Sequence, residues 1–460
     1  MKLNKSSQLQ RFHGCCIPKL QRLRGFFIKK NPPCAVARNG YKYRGTALLL
    51  VAAAGLAVAS LITACSQVTQ TLTVDFVYVA SSKAAGANSY GEINVFEVDS
   101  ESGKMRQIPD SPFPSQGRDP VAEAVSADNS SLFVVNQDDN TVVQFVIGSD
   151  GKLYPYNTVN TPGVYPLAVT ANASNMFVLD TYQPLSTAST AAPCTGSLAV
   201  FPLTAATKTT AVTIGSPALN PAIDVNYWPL TLSGQSSCSG DVIVPTGVNV
   251  VKSGSYVYVS AYDSSVTPSV GYIFGFSVGS GDVLTPLPGS PFAAGTQPSS
   301  VASDPTGAYL YATDYAKADV LAYSIASSGI PSPLSGSPFP SGNEPTAIAV
   351  DPSFPFMYVT NSLDASVTGY SMSNGALTNI GDYATGLEPV AIGIDPSTNH
   401  FLYSVNFLGG DVSSWQLSQT GGTLINSQYS PYNSNALPTA VAAIPHNGTG
   451  AGVSGPGVTQ

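Results

Sequence analysis

Residues 345–361 read Pro-Thr-Ala-Ile-Ala-Val-Asp-Pro-Ser-Phe-Pro-Phe-Met-Tyr-Val-Thr-Asn, and one period later the chain repeats them as Pro389-Val-Ala-Ile-Gly-Ile-Asp-Pro, then Phe401-Leu-Tyr-Ser-Val-Asn406. The same pattern starts at Pro120, Pro166, Pro245 and Pro298 and, truncated, at Pro438, with successive spacings of 46, 79, 53, 47, 44 and 49 residues. A period in the forties is the length of one four-stranded propeller blade. Each unit parses accordingly. An inner strand of small and branched residues (Ala347 to Val350) runs into an Asp-Pro turn, where Asp accepts from backbone NH groups and Pro holds φ. A second strand (Met357 to Thr360) and a third (Val367 to Met372) follow, then a Ser/Asn-Gly turn and a less regular outer strand. Several units close on Gly-Ser-Pro-Phe (289–292, 336–339, and in part Ser111 to Phe113) and a Gly-x-x-Pro lead-in to the next inner strand.

Seven second strands are legible, starting at Val77, Leu132, Met176, Val257, Leu310, Met357 and Leu402. The first unit begins at its second strand, near Thr73, and lacks an inner one. Pro438-Thr-Ala-Val-Ala-Ala-Ile-Pro445 is expected to supply it, so that the two chain ends share a sheet and no edge stays open. The expectation is an all-β, seven-bladed β-propeller of four-stranded antiparallel blades over 73–445. Abundant Gly (42) and Pro (36) with only 10% charged residues agree with many short strands and turns. The unit after Pro166 is longer by about 32 residues. Its excess is placed around 186–244, with Cys194, Cys238 and Trp228, as an excursion from the third blade; a decorative and a functional loop both remain open. The Gly-rich tail 446–460 is expected to be disordered.

Charge divides the chain. Residues 1–44 hold eleven of the nineteen bases and no acid, leaving eight bases against all 27 acids in the remainder. Such a remainder repels phosphate backbones, so no nucleic-acid partner is expected. Between the regimes, the uncharged run 47–64 ends in Leu61-Ile-Thr-Ala-Cys65-Ser66, and a basic stretch, an apolar stretch and small residues compose a secretory signal. Its end resembles the bacterial lipoprotein box, which implies acylation of Cys65, a 1–65 leader, a 66–72 linker and a membrane-anchored envelope protein. A plain transmembrane anchor is the other reading of the same run. Once the leader and Cys65 are set aside, Cys194 and Cys238 are the remaining pair, and an oxidising compartment favours a disulfide between them.

The Tyr-Val-Thr-Asn element (Tyr358 to Asn361), its Asp-Pro turn and the blade period resemble the YVTN-repeat and lactonase-like seven-bladed propellers, which include 6-phosphogluconolactonase-like and muconate-cycloisomerase-like proteins. The resemblance spans about Thr73 to Pro445 and rests on blade-building residues. It implies an anionic substrate held over the central cleft by basic groups beside an acid or a histidine. Beyond the leader the chain offers Arg106, Arg118, His400 and His446, in an outer strand, a lead-in, a turn and the tail, and no basic cluster assembles from these positions. No catalytic residue is carried over from the family.

The loop after the second strand and the lead-in to the inner strand open on one face. Asn136, Asp180, Asp314, Asn361 and Asn406 end the second strand in five blades, with Ser81 and Ala261 as departures, and the lead-ins add Arg118, Asp119, Gln297, Glu344 and Glu388. Read functionally, this is an acidic, amide-rich rim of acceptors for a sugar, a cation or a partner's basic side chains; read structurally, the Asn/Asp side chains cap their own turns. Glu123 breaks an otherwise apolar set, the third residue after each lead-in Pro (Val169, Val248, Val301, Ile348, Ile392, Val441). A catalytic or ligand-contacting acid, an ion pair with Arg118 and a locally shifted register all account for it. Nucleotide-loop, zinc-helix and nucleophile-elbow motifs are missing, so no metal or cofactor is expected. Two functions follow: a monomeric binding module for protein or carbohydrate, or a lactone hydrolase or isomerase using an acid such as Glu123.

Overall fold

The computed structural model describes residues 74–86, 88–184, 195–232, 241–396, 401–434 and 437–445. Cys65, Cys194, Cys238, His400, His446 and the 446–460 tail lie outside the described residues, and with them the expected lipid attachment and disulfide.

Seven antiparallel sheets each follow the order inner, second, third, outer strand. The second blade is the plainest: Pro120–Val125, Ser131–Asn136, Thr141–Ile147 and Leu153–Asn160. The first blade takes Pro438–Ile444 as its inner strand beside Val74–Ala85, with Phe76 opposite Ile444 and Val79 opposite Val441. The ring is closed by the two ends of the chain.

Apolar packing runs between blades rather than into one centre. Seven buried clusters occupy the seven blade boundaries; the one joining Val77, Val79 and Phe96 to Phe401, Tyr403 and Val412 completes the circle. Each sheet is therefore covered on both faces. Ser131–Asn136, Phe356–Asn361 and Phe401–Asn406 are buried at every residue, which is why Tyr-Val-Thr-Asn lacks the alternation of a half-exposed strand. Fully burying one such large apolar side chain contributes about 1.5–3 kcal/mol.

The Ser-Pro-Phe signature has a structural meaning. In the first, fourth, fifth and seventh blades the outer strand is split in two, and both pieces pair with the third strand. At the break, Ser111, Ser290, Ser337 and Ser430 accept from the third-strand amides of Val95, Gly275, Ala322 and Ser414 at 2.9–3.0 Å. The hydroxyl fills the bond that the missing strand residue would have made. The second and sixth blades lack the motif, and their outer strands, Leu153–Asn160 and Ala376–Ala384, run unbroken.

The third blade corrects one boundary. Its third strand Ser197–Thr204 and outer strand Thr213–Ile214 lie inside the interval expected to be an excursion. Trp228 belongs to the blade itself: Trp228–Pro229 pairs with the third strand, Trp228 opposite Leu198, just as Phe113 faces Ile93 and Phe292 faces Ile273. The buried indole takes the place of the phenylalanine of Ser-Pro-Phe. Sequence reasoning missed this because Gly215-Ser216-Pro217 is followed by Ala218 instead of an aromatic, and the indole comes only at position 228.

Candidate functional site

Lead-in loops and the loops after the second strands surround the mouth of the central channel. Their arrangement starts from a contact between two repeat motifs. The first Gly of each Gly-x-x-Pro lies against the Asn or Asp ending the second strand: a Cβ on Gly117, Gly163, Gly295, Gly342 or Gly386 would stand 2.3–2.6 Å from Asn136, Asp180, Asp314, Asn361 or Asn406. Where the Asn/Asp is replaced, by Ser81 and Ala261, the glycine is replaced too, by Asn435 and Val242. The side chain occupies the room that glycine leaves.

Of the two readings of these positions, their placement fits the one in which the side chains cap their own turns. Asn136, Asp180, Asp314, Asn361 and Asn406 are at most 1% exposed, inside the blades and aimed at their own loops. Asp314 accepts from the amides of Thr296, Gln297 and Ala316, and Asp180 from that of Gly163. Asn361 donates to Ser366 and Thr368, and Asn406 to Asp411 and Ser413. Hydrogen bonds thus tie four of the five to their lead-ins, Asn361 and Asn406 accepting from Ser341 and Thr385, whereas the Asn136 side-chain amide has no hydrogen-bond partner among the described residues. Burial pushes the Asp180 carboxyl up to about 7, against the lowering effect of hydrogen bonds from Thr161 and Gly163.

The residues just before the inner-strand prolines are placed differently. Asp119, Tyr165, Glu344, Glu388 and Leu437 all adopt left-handed backbone, φ 53–56°. Backbone carbonyls of Asp119, Gln297, Glu344 and Glu388 accept from Gln137, Tyr315, Ser362 and Phe407, tying each lead-in to the loop after its second strand. Inside this ring, second residues of four inner strands reach the next blade: Thr246 donates to the carbonyl of Pro298, Ser299 to Pro345, Thr346 to Pro389 and Thr439 to Pro120. The mouth is therefore tied within each blade by backbone bonds and between blades by these four hydroxyls.

Glu344 is the organised group at this mouth. Ser362 donates to its Oε2 at 3.2 Å. The Tyr315 phenol lies beside it: its interaction with Glu344 first, then burial and the charges of Glu344 and Glu388, push the phenol up, while Ser362 pulls it down. Tyr315, Glu344, Ser362 and Glu388 thus form one polar group drawn from the fifth, sixth and seventh blades. Tyr315 and Ser362 escaped sequence reasoning; their signal was only that each directly follows a second-strand Asp or Asn. Asp119 lies across a different part of the ring, its carboxyl raised by burial and by Asp138. Arg118 is exposed and turned away, its Nε on Asp139 at 2.7 Å.

Glu123 stands apart. Its strand is in normal register, Glu123 opposite Val134 as Ile348 is opposite Val359, so no shift explains it, and Arg118, committed to Asp139, does not pair with it. Both carboxylate oxygens are buried with no hydrogen-bonding partner among the described residues. They lie at the boundary of blades one and two, near the Ala442 amide of the closing strand and within electrostatic reach of Tyr78. Burial raises the carboxyl well above its usual range, and the Ala442 amide offsets this only in part.

No protein-family model and no curated protein sequence matches the chain. Solved structures do. The periplasmic gluconolactonase of Pseudomonas aeruginosa superposes with a TM-score of 0.61 at 16% identity, over 81% of this chain and 99% of that one. A candidate 6-phosphogluconolactonase from Bacteroides fragilis gives 0.61 at 18% identity, over 82% and 99%, and one from Bacteroides uniformis 0.60 at 17%, over 81% and 99%. At these identities the likeness shows the fold, a lactonase-like seven-bladed propeller, and leaves the chemistry to the site.

Proposed function

We propose that this propeller is an exported, lipid-anchored envelope module that binds a protein or carbohydrate ligand at its channel mouth. One observation carries the reading: the mouth presents carboxylates, with Glu344 held by Ser362 and Tyr315 and Glu388 beside it, while the nearby guanidinium of Arg118 is paired with Asp139. Oriented carboxylates accept from sugar hydroxyls or from a partner's Lys and Arg. They repel the anionic substrates that lactonase-like sites are expected to take. Export and anchoring through Cys65 are supported by the basic leader and lipoprotein-box-like segment, a disulfide between Cys194 and Cys238 by the oxidising compartment that export implies, and a monomeric state by a ring that closes on itself.

The second reading, lactone hydrolysis or isomerisation by Glu123, rests on that carboxyl being buried without a partner and raised in pKa, as a general acid would be. A lactone panel and a glycan array run on the purified chain separate the two. Binding abolished by Glu344→Gln with Glu388→Gln, and no turnover, supports the binding module. Robust turnover lost in Glu123→Gln overturns it. An N-terminal acyl mass at Cys65, lost in Cys65→Ser, tests the anchor.

A further inference from the structure

The opposite face, made by the inner-to-second and third-to-outer turns, carries a cleft of about 460 Å³ across the fifth and sixth blades, reached by one turn of the fourth. Tyr309, Pro352, Phe354 and Met372 give it an apolar wall, and Lys252 and Asn374 stand at its edge, both exposed. Lys252 is one of only eight bases outside the leader. Arg106, Arg118 and Lys152 are spent on carboxylates; Lys252, like Lys83, Lys104, Lys208 and Lys317, is in no ion pair among the described residues, and it is the one of these that lines the cleft. The one acid lining the cleft, Asp304, is buried and turned into its own loop, where it accepts from the amides of Thr306 and Tyr309.

We infer that this cleft is a second ligand site, independent of the channel mouth, for an acidic sugar of uronate type. The volume falls within the range of small-ligand sites, and an apolar wall with a few polar groups at its edge is their usual composition. The CH face of a pyranose packs on Phe354 and Met372, the ring hydroxyls meet the Asn374 amide, and the carboxylate reaches the unpaired Lys252 ammonium. In a chain otherwise so acidic, a neutral sugar would make no use of that cation and a cationic ligand would be repelled by it.

Isothermal titration of the full chain with sodium glucuronate, glucose and sodium benzoate tests the assignment. Glucuronate is expected to saturate at least about tenfold tighter than either other probe, because only it engages wall, amide and ammonium together. Lys252→Met should reduce it to the level of glucose, Phe354→Ala should weaken both sugars, and Lys208→Met, which changes the net charge equally elsewhere, should alter nothing. Thermal melts confirm that each variant is folded. Failure of glucuronate to saturate, equal affinity for glucose or benzoate, or insensitivity to Lys252→Met overturns the inference. Loss of binding in Glu344→Gln would place the sugar at the channel mouth instead and overturn it equally.

Discussion

The Tyr358 hydroxyl donates to the backbone carbonyl of Gly422 at 2.6 Å, crossing from the second strand of the sixth blade to the outer turn of the seventh. The link recurs as Tyr78 to Gly151, Tyr258 to Gly329 and Tyr311 to Gly375. Each glycine has positive φ, and the aromatic two residues before the tyrosine lies where a Cβ would be: Phe356 would be 2.4 Å from one on Gly422, and Tyr309 2.3 Å from one on Gly375. In the first, fourth, fifth and sixth blades the aromatic-x-Tyr thus clamps the turn of the next, whereas in the seventh Phe401 packs on Gly103 but the buried Tyr403 hydroxyl has no hydrogen-bond partner among the described residues. In the second and third blades Phe133 and Phe177 replace the tyrosine, and the third reaches its neighbour through Asn175 to Asp282 instead.

Tyr358→Phe removes the donor and leaves a buried carbonyl unmet. A loss of about 1–3 kcal/mol is expected, read as a lower urea midpoint at unchanged slope. An unchanged midpoint would mean that the clamp is packing alone.

Gly422→Ala should be at least as harmful, because it adds left-handed strain of about 1–2 kcal/mol to a collision with Phe356. The measurement is again the urea midpoint, and Gly86→Ala, where nothing lies within 4 Å, isolates the strain from the collision.

Asp180→Asn should stabilise the protein at neutral pH, since asparagine already fills the equivalent place in the second, sixth and seventh blades. The folded carboxyl titrates near 7 and the unfolded one near 4. The folded state therefore holds the extra proton between these values, and stability falls as pH rises from about 4 to about 7, by roughly 4 kcal/mol at most. Melting temperatures across that window should show the slope in the parent chain and a flatter one in the variant.

Glu123→Val restores the residue type found at the same place in four other blades. Because the buried carboxyl has a raised pKa, its contribution worsens as pH climbs above the unfolded value near 4, so the variant should gain about 1–3 kcal/mol at neutral pH. A stable variant that has lost a lactone turnover would identify Glu123 as a functional acid kept at the expense of stability.

A chain ending at residue 437 loses the inner strand that pairs with Val74–Ala85. It exposes a sheet edge and the clusters on both sides of the first blade. Size-exclusion chromatography should show association or aggregation, and the melt should lose its cooperativity.

Blade number, strand order and ring closure were legible because Pro, Asp-Pro and Tyr-Val act locally and repeat, so one well-written unit interprets the blurred ones. Trp228 was misplaced because its partner Leu198 is thirty positions upstream, and a pairing that distant leaves no periodic trace. The Asn/Asp positions were legible, with a solvent-facing and a turn-capping reading both open: a residue at a strand end can face solvent or its own lead-in, and the choice depends on the glycine across the loop. Glu123 was singled out correctly as an anomaly, but its lack of a partner depends on three segments, including one from the far end of the chain.

The amino-acid order by itself determined the architecture, since turns and strand periods are written in neighbouring residues. Which side chains meet was decided by the tertiary structure alone. Bringing Tyr315 to Glu344, or Lys252 to Phe354, requires separate blades to be set side by side, and the apolar packing that does so is indifferent to the polar groups it carries along.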